Sequence, residues 1–426
     1  MKIVWLINGG TKDICDAFKN VSFPKGDIGW VTSTIEEMRK RSDISLYILF
    51  PQKMQTNIMM AQTENIYFWG FYQKDNCHWK TNIEVRNLFE KIDKEIKPDV
   101  VHIWGTEFAH SLDMIYAIEN KNKIVVHMQG LVSALAEHYM ANLPIFVQYG
   151  YTLRDFLRMD NIRKAQIRYW KRGKNEIEIL KQVHKIMGRT DWDEAHCLNI
   201  NPNLKYYHCK ESMRSLFFKK SWDVERMDPY TIFVTQGNYP IKGFHYLLEA
   251  LVILRNKYPN VKVRVAGAVT VFKGKNIIKE DSYGRYIRRY IEKYHLEDTI
   301  EFIGYKSAEE MVEEYMHANV FVISSAIENS PNSLAEAMVV GTPIVAADVG
   351  GINCMIEHKK DGFLYQHNNI ALLAHYVSKI FDSNEVACNL SLNAKERAKK
   401  DYDAAENVKQ LLTIYEDISR ESRGIW

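Results

Sequence analysis

Residues 320–351, VFVISSAIENSPNSLAEAMVVGTPIVAADVGG, spell out a strand, a loop, a helix and a second strand. The apolar run Val320–Ile323 has the composition of a buried strand. A short polar loop carrying Glu328 follows. Ser330-Pro331 has the form of an N-cap residue followed by a proline at the first helical position. The helix is expected over Ser333–Val340, with Glu336 one turn inside it. Gly341-Thr342-Pro343 stops it, because glycine takes the left-handed cap and proline cannot continue the helix. Ile344–Ala347 reads as a second buried strand, closed by a turn at Gly350-Gly351.

Two carboxylates therefore flank the start of one helix. In a chain with 53 Asp and Glu, such a pair on its own reads as two solvated surface charges. The context adds chemistry. The first turn of a helix has free N–H groups and a positive dipole end, which suit a phosphate. A carboxylate beside it can accept from sugar or ribose hydroxyls. The run Glu-Asn-Ser-Pro-Asn-Ser-Leu-Ala-Glu-Ala-Met, then Gly-Thr-Pro-Ile-Val-Ala, then Gly-Gly, closely resembles the donor-site signature of retaining glycosyltransferases of family 4, the group 1 family. Three elements occur in order at the right spacing. Two departures are visible: Asn329 replaces the usual glycine, and Cys354 stands where a glutamate often follows the Gly-Gly.

Composition bounds the rest. At 426 residues the chain can hold two domains with full cores. Hydrophobic content of 46% and charged content of 26% are ordinary for a globular protein. A net charge of +3 is too small to suggest a nucleic-acid binder. The 6 cysteines show no CxxC spacing, which argues against zinc and for reduced thiols in a cytoplasmic setting. The opening MKIVWLINGG reads as a first strand rather than a signal peptide. No apolar run approaches the roughly 20 residues that span a bilayer.

In the first half, strands are expected at Lys2–Ile7, Ser45–Phe50, Ile66–Phe71, Val100–Gly105, Lys123–His127 and Val183–Gly188, with helices at Thr32–Lys40 and Asn82–Lys97. Gly9-Gly10 follow the first strand. A plain tight turn and a ligand loop at the strand's carboxyl end are equal readings of them, and the resemblance favours the second, near the donor phosphate. Pro98-Asp99 and His102 resemble the family's Pro-Asp-x-x-His strand, and His102 is read as structural. Gln129-Gly130 stand where members often carry His-Gly, so Gln129 or His127 is the residue near the transferred sugar. Residues 149–174 hold eight Lys/Arg from Arg154 to Lys174, interleaved with Tyr151, Phe156, Leu157, Ile162, Tyr169 and Trp170. Such a helix can lie in a lipid interface or pack its aromatic stripe on the domain. Arg189-Thr190-Asp191-Trp192-Asp193 ends a strand. It reads equally as an acceptor surface, through Arg189 and Trp192, or as an Arg–Asp pair capping the next helix. Residues 219–230 have no periodicity and are read as a hinge.

The second half opens with a strand at Thr231–Thr235 and a helix at Phe244–Lys257. Between them, Gly237-Asn238-Tyr239-Pro240-Ile241-Lys242-Gly243 resembles the family's Gly-Arg-…-Lys-Gly loop, which clamps the donor diphosphate. Lys242 and Gly243 match; Asn238 stands where the arginine usually is. Strands follow at Val261–Ala266, Ile300–Ile303 and Phe363–Tyr365, residues 270–284 are read as a loop, and helices are expected at Ala308–His317 and near the chain end.

Alternation of strand and helix in both halves implies two doubly wound parallel sheets. The resemblance implies the GT-B arrangement of Rossmann-like domains facing across a cleft. The expected division is 1–218 on the acceptor side, 219–230 as hinge, 231–402 for the nucleotide-sugar, and 403–426 as a helix crossing back. The resemblance further implies glycosyl transfer with retention, in cell-surface polysaccharide or glycolipid synthesis. A UDP- or GDP-type donor would be held by Gly9, Gly10, Gly237, Asn238, Lys242, Gly243, Glu328, Pro331, Asn332, Ser333, Leu334 and Glu336. In that scheme Lys242 and Glu328 are catalytic, Glu336 binds ribose, and Lys242 with the helix start stabilises the leaving diphosphate without a metal. The acceptor is a saccharide or lipid-linked, and peripheral contact with the inner membrane face through 149–174 is expected. Two other readings stay open: a nucleotide-sugar 2-epimerase, and a nucleotide-sugar-binding subunit without catalysis, kept alive by Asn238 and Gln129.

Overall fold

The computed structural model describes residues 1–18, 29–54, 56–73, 79–269, 271 and 274–424. Cys77 and part of the 270–284 loop lie outside them. The chain divides into two compact units: 1–134 with 169–214 and 402–426, and 135–168 with 215–401.

The first unit is built on β1 (Lys2–Leu6), β2 (Ser45–Gln52), β3 (Met59–Thr63), β4 (Ile66–Tyr72), β5 (Val100–Trp104), β6 (Ile124–His127), β7 (Lys185–Gly188) and β8 (Lys205–His208). Their order is β3-β4-β2-β1-β5-β6-β7-β8, parallel except that β3 runs antiparallel on β4. The central strands are buried on both faces and read as apolar runs, while β3 and β8 at the edges are partly exposed. In β1 the alternation divides the core: Val4 and Leu6 join one cluster, Ile3 and Trp5 the other. The second cluster is closed by the last helix, Ala404–Ser422, through Val408, Leu411, Leu412, Tyr415 and Ile418. Tyr415 ties that helix to the sheet, its hydroxyl accepting from Trp5 Nε1 at 2.8 Å. His102 is wholly buried beside it, and burial pushes its imidazole down to about 3, leaving it neutral.

The second unit carries β9 (Thr231–Val234), β10 (Lys262–Ala266), β11 (Ile300–Gly304), β12 (Val320–Ile323), β13 (Ile344–Asp348) and β14 (Phe363–Gln366). All are parallel, in the order β11-β10-β9-β12-β13-β14. Counted from β9 this is 3-2-1-4-5-6, the doubly wound order, whose ligand crevice lies where the order reverses, between β9 and β12. The helices Phe244–Lys257 and Ala308–His317 span the expected residues.

Three local expectations differ. Residues 282–293, the first three of them inside the expected loop 270–284, form a helix; its apolar positions (Tyr283, Ile287, Ile291) are spaced by four and buried, and charge between them hid the pattern. The basic run 149–174 is two helices, Leu153–Arg158 and the start of Ile162–Gln182, broken where Met159 takes a left-handed cap. Residues 219–230 are held on the second unit, with Trp222 donating to Val340 O at 2.8 Å and Ala318 O at 2.7 Å.

Residues 135–168, assigned by sequence to the first domain, pack with the second. Ala141 O accepts from Tyr246 at 2.6 Å and from His245 Nε2 at 2.9 Å. Since a carbonyl only accepts, Nε2 carries the proton, and burial holds that imidazole down at about 4. Asp155, fully buried, accepts from Ser282 N at 2.9 Å, and Thr152 donates to Glu280 O at 2.7 Å. Each anchoring contact joins a backbone atom to a side chain more than 100 residues away along the chain, which periodicity cannot reveal.

Candidate functional site

The switch point of the second sheet gathers the three sequence elements singled out above. After β9 the chain passes through a single turn, Pro240–Lys242, into Gly243 and the helix Phe244–Lys257. Gly243 has φ +63, and a Cβ there would stand 1.9 Å from Ser324 O, so only glycine fits. That close approach brings the β9 loop onto the β12 loop, and Ala326 N donates to Ile241 O at 2.7 Å. Lys242 Nζ consequently lies 2.6 Å from Glu328 Oε1, which also accepts from Ser325 Oγ at 2.7 Å. The third element closes over them: Gly351 N donates to Glu328 O at 3.1 Å. A Cβ at Gly350, φ +55, would meet that same carbonyl at 1.8 Å.

The helix after Glu328 runs Asn332–Val340 and its N-cap is Pro331, one residue later than the Ser330 cap expected. Proline has no capping side chain, so the first-turn N–H groups keep no side-chain cap. Asn332 and Ser333 are partly exposed there, whereas Leu334 is fully buried and its N–H turns back to Pro331 O at 2.9 Å. Glu336 is 8% exposed and accepts from the Tyr315 hydroxyl at 3.1 Å. Tyr315 also reaches Ser333 O at 3.0 Å, so one phenol spans the helix's first turn. Gly237 is packed against Phe244 and Val265, and Asn238 beside it is partly exposed.

The remaining sequence candidates lie in the first unit. Gly9 lies in the bend after β1, with Gly10 just beyond it. His127 is wholly buried at the end of β6, stacked on Trp104 and His102 at 4.9 and 5.5 Å between ring centres. Gln129, partly exposed, donates to Glu211, which also pairs with Arg189. Arg189 in turn donates to Gln129 O at 3.1 Å. Burial raises the Glu211 carboxyl and the guanidinium opposes it. The next helix is capped by Thr190, which accepts from Asp193 N at 3.1 Å, rather than by the expected Arg–Asp pair; Asp193 accepts from the backbone N of Arg189 at 3.1 Å, while the guanidinium pairs with Glu211. Trp192 packs partly buried against the core and His196.

Sequence reasoning missed a cluster at the first unit's own switch point, between β1 and β5. Asn8 donates to Trp104 O at 2.9 Å and Glu107 Oε2 at 3.1 Å, and its Oδ1 lies 2.8 Å from His110 Nε2. Glu107 Oε1 accepts from Gly130 N at 3.1 Å, and Arg172 donates to Glu107 O at 2.6 Å. Burial pushes the Glu107 carboxyl up to about 7. The available signal was an acidic residue just past a strand's carboxyl end, in Trp104-Gly105-Thr106-Glu107. Tyr315 and Ser325, which hold the two glutamates of the other site, carried no signal of their own.

Residues 216–401 match the family described as Glycosyl transferases group 1. The chain is 29% identical to the putative colanic acid biosynthesis glycosyltransferase WcaL of Escherichia coli over 170 residues, 38% of this chain and 39% of that one. It is 24% identical to the D-inositol 3-phosphate glycosyltransferase of Corynebacterium urealyticum over 42% of this chain and 41% of the other. The matches thus span about two-fifths of these relatives' length. In fold, the sucrose-phosphate synthase of Thermosynechococcus elongatus superposes over 98% of this chain and 99% of its own, with TM-score 0.71 and 15% identity. Anabaena HepE in complex with UDP and glucose does so over 98% and 99%, with TM-score 0.66 and 14% identity. The architecture is the GT-B fold.

Proposed function

We propose that this protein is a retaining glycosyltransferase that moves a sugar from a nucleoside-diphosphate sugar to a hydroxyl of a saccharide or lipid-linked acceptor. The observation that carries this reading is the 2.6 Å pairing of Lys242 with Glu328 at the switch point of a 3-2-1-4-5-6 sheet, beside an uncapped helix start. An ammonium next to free N–H groups suits a diphosphate, and its charge matters most as the leaving group departs. Glu336, one turn in, is placed to take ribose hydroxyls, and Glu328 to take the sugar. Likeness to WcaL and to a UDP-bound structure supports a UDP-type donor and a role in cell-surface polysaccharide synthesis. With the diphosphate held by lysine and backbone, turnover needs no metal and persists in excess chelator.

The 149–174 segment supports a peripheral membrane role on the cytoplasmic face. Phe156, Leu157 and Met159 are 71%, 72% and 71% exposed, among Arg154, Arg158, Arg163 and Lys164. Exposed aromatic and aliphatic groups ringed by cations fit an anionic lipid surface. Among the described residues no helix is long and apolar enough to cross a membrane. Binding to phosphatidylserine vesicles should weaken with salt and in an Arg163→Glu, Lys164→Glu double variant; equal binding by wild type and variant rules this segment out.

The central test is a calorimetric titration with UDP, GDP and their sugars, followed by incubation of the sugar that binds with and without acceptor. Hydrolysis of the donor separates an enzyme from a binding subunit, and a transferred rather than inverted sugar separates a transferase from an epimerase. Absence of binding to every nucleotide would overturn the reading.

A further inference from the structure

The phosphate loop of the second unit offers Lys242, and Lys242 is already engaged by Glu328. A diphosphate brings more negative charge than one paired lysine can balance. Asn238, four residues before Lys242, adds no charge. It does line a cavity of about 580 Å³, within the volume range of small-molecule sites. The same cavity is lined by Arg154, Arg158 and Lys279, with Leu157 on the wall and Asp281 as its acid. Asp281 is committed to capping the helix Ser282–Lys293, accepting from Gly284 N at 2.7 Å. Arg154 pairs with Asp155 at 3.0 Å. Among the described residues neither Arg158 nor Lys279 has a side-chain ion pair. Cationic charge therefore exceeds anionic charge in a hollow that the phosphate loop reaches through Asn238.

The helix that carries the arginines is also held in place. Thr152 and Asp155 form a reciprocal cap at the start of the helix Leu153–Arg158. Asp155 reaches across to Ser282 N, and Glu280, whose carbonyl accepts from Thr152, is itself held by Arg288 at 3.0 Å. A cation presented from an anchored helix loses less freedom on binding than one on a loose loop.

We propose that Arg158, with Arg154 behind it, supplies from the 135–168 segment the cationic contact to the donor diphosphate that Asn238 does not make. The proposal rests on the donor-site reading above. It makes the segment part of the phosphate site of the unit it packs on.

The test is calorimetric titration, without lipid, of UMP and UDP into the full chain. In Arg158→Gln, affinity for UDP should fall about tenfold, as expected for loss of a charge-assisted contact, while UMP binding changes by less than about twofold. The salt dependence of UDP binding should become shallower. Asn238→Arg, added to Arg158→Gln, should restore UDP affinity by supplying the charge from the loop; a merely structural arginine would not be rescued in this way. If UDP binds Arg158→Gln and Arg158→Glu as tightly as wild type, while Glu336→Ala weakens both nucleotides, the donor site stands and this inference falls. If Arg158→Gln changes vesicle binding alone, the cavity serves lipid headgroups and the inference falls likewise. If wild type takes no nucleotide, both readings fall together.

Discussion

Between β9 and β12 the loops bring a lysine against a glutamate at 2.6 Å, next to a helix start without a capping side chain. Between β1 and β5 the loops of the other sheet bring together Asn8, Glu107 and His110, joined by hydrogen bonds of 3.1 and 2.8 Å. Both places are topological switch points, where the strand order turns from one direction to the other. The topology opens a crevice in each; the loops decide what it can hold. The second unit puts fixed charge there, which suits a phosphate. The first puts the neutral side chains Asn8 and His110 there, with Arg172 on the Glu107 carbonyl, around a carboxyl raised to about 7, which suits hydroxyls. The lesson is that a repeated fold need not repeat its chemistry.

Lys242→Ala should break the comparison most severely. Charge on the diphosphate grows towards the transition state, so removing its ammonium should lower turnover by about a hundred- to a thousandfold. The matching change at the other switch point, Asn8→Ala, removes neutral hydrogen bonds and should cost about tenfold, expressed in the KM for acceptor. Steady-state kinetics on both variants measure this. Equal losses would mean that the two crevices do not differ in the way described.

A middle-sized effect comes from the pair itself, because Glu328 occupies Lys242 and, on the proposed function, takes the sugar. Glu328→Gln frees the ammonium, so UDP should bind roughly fivefold tighter while turnover drops. Glu336→Ala should act in the opposite direction, weakening UDP and UDP-sugar alike by about ten- to a hundredfold through loss of a charge-assisted bond to ribose. Calorimetry on the two variants separates the roles. Unchanged UDP affinity in Glu336→Ala, with the fold intact, would sink the ribose assignment.

The two switch points also differed in how far the sequence exposed them. Lys242, Glu328 and Glu336 could be picked out because glycines, a proline and apolar strands at fixed spacing surround them. Gly243 and Gly350 are needed for close backbone approaches, and such needs leave a mark in the letters. The strands of both sheets were legible as apolar runs, apart from β3, whose buried-and-exposed MMAQT is too short and polar to stand out, and β8, whose KYYH is exposed at both ends. Glu107 had no such frame: its partners are a glycine N–H, an asparagine and the carbonyl-bound Arg172, each from a different element. The placement of 135–168 on the second unit was hidden for the same reason, since Asp155 and Ala141 act through backbone contacts over 100 residues away.

The smallest effect is a slope rather than a loss, and it tests whether the first crevice is neutral. Burial raises the Glu107 carboxyl from 4.5 to about 7, against Arg172 and with help from the nearby Glu176. Between those values the folded chain keeps a proton that the unfolded chain has released. Folding is then favoured at the acid end, and that contribution is lost as pH climbs from about 4.5 to 7. Glu107→Gln is neutral at every pH and lacks this slope. The difference in melting temperature, wild type minus variant, should therefore fall as pH rises from 5 to about 7 and level off above it. Other groups slope too: Asp113, raised to about 6, adds to the fall, and His245, lowered to about 4, opposes it. Both are present in wild type and variant, so they cancel in the difference so long as the sites act independently. A difference that stays flat across this range would mean that Glu107 titrates like an exposed acid. The first crevice would then carry charge at neutral pH, and the contrast between the two switch points would shrink to the sign of that charge.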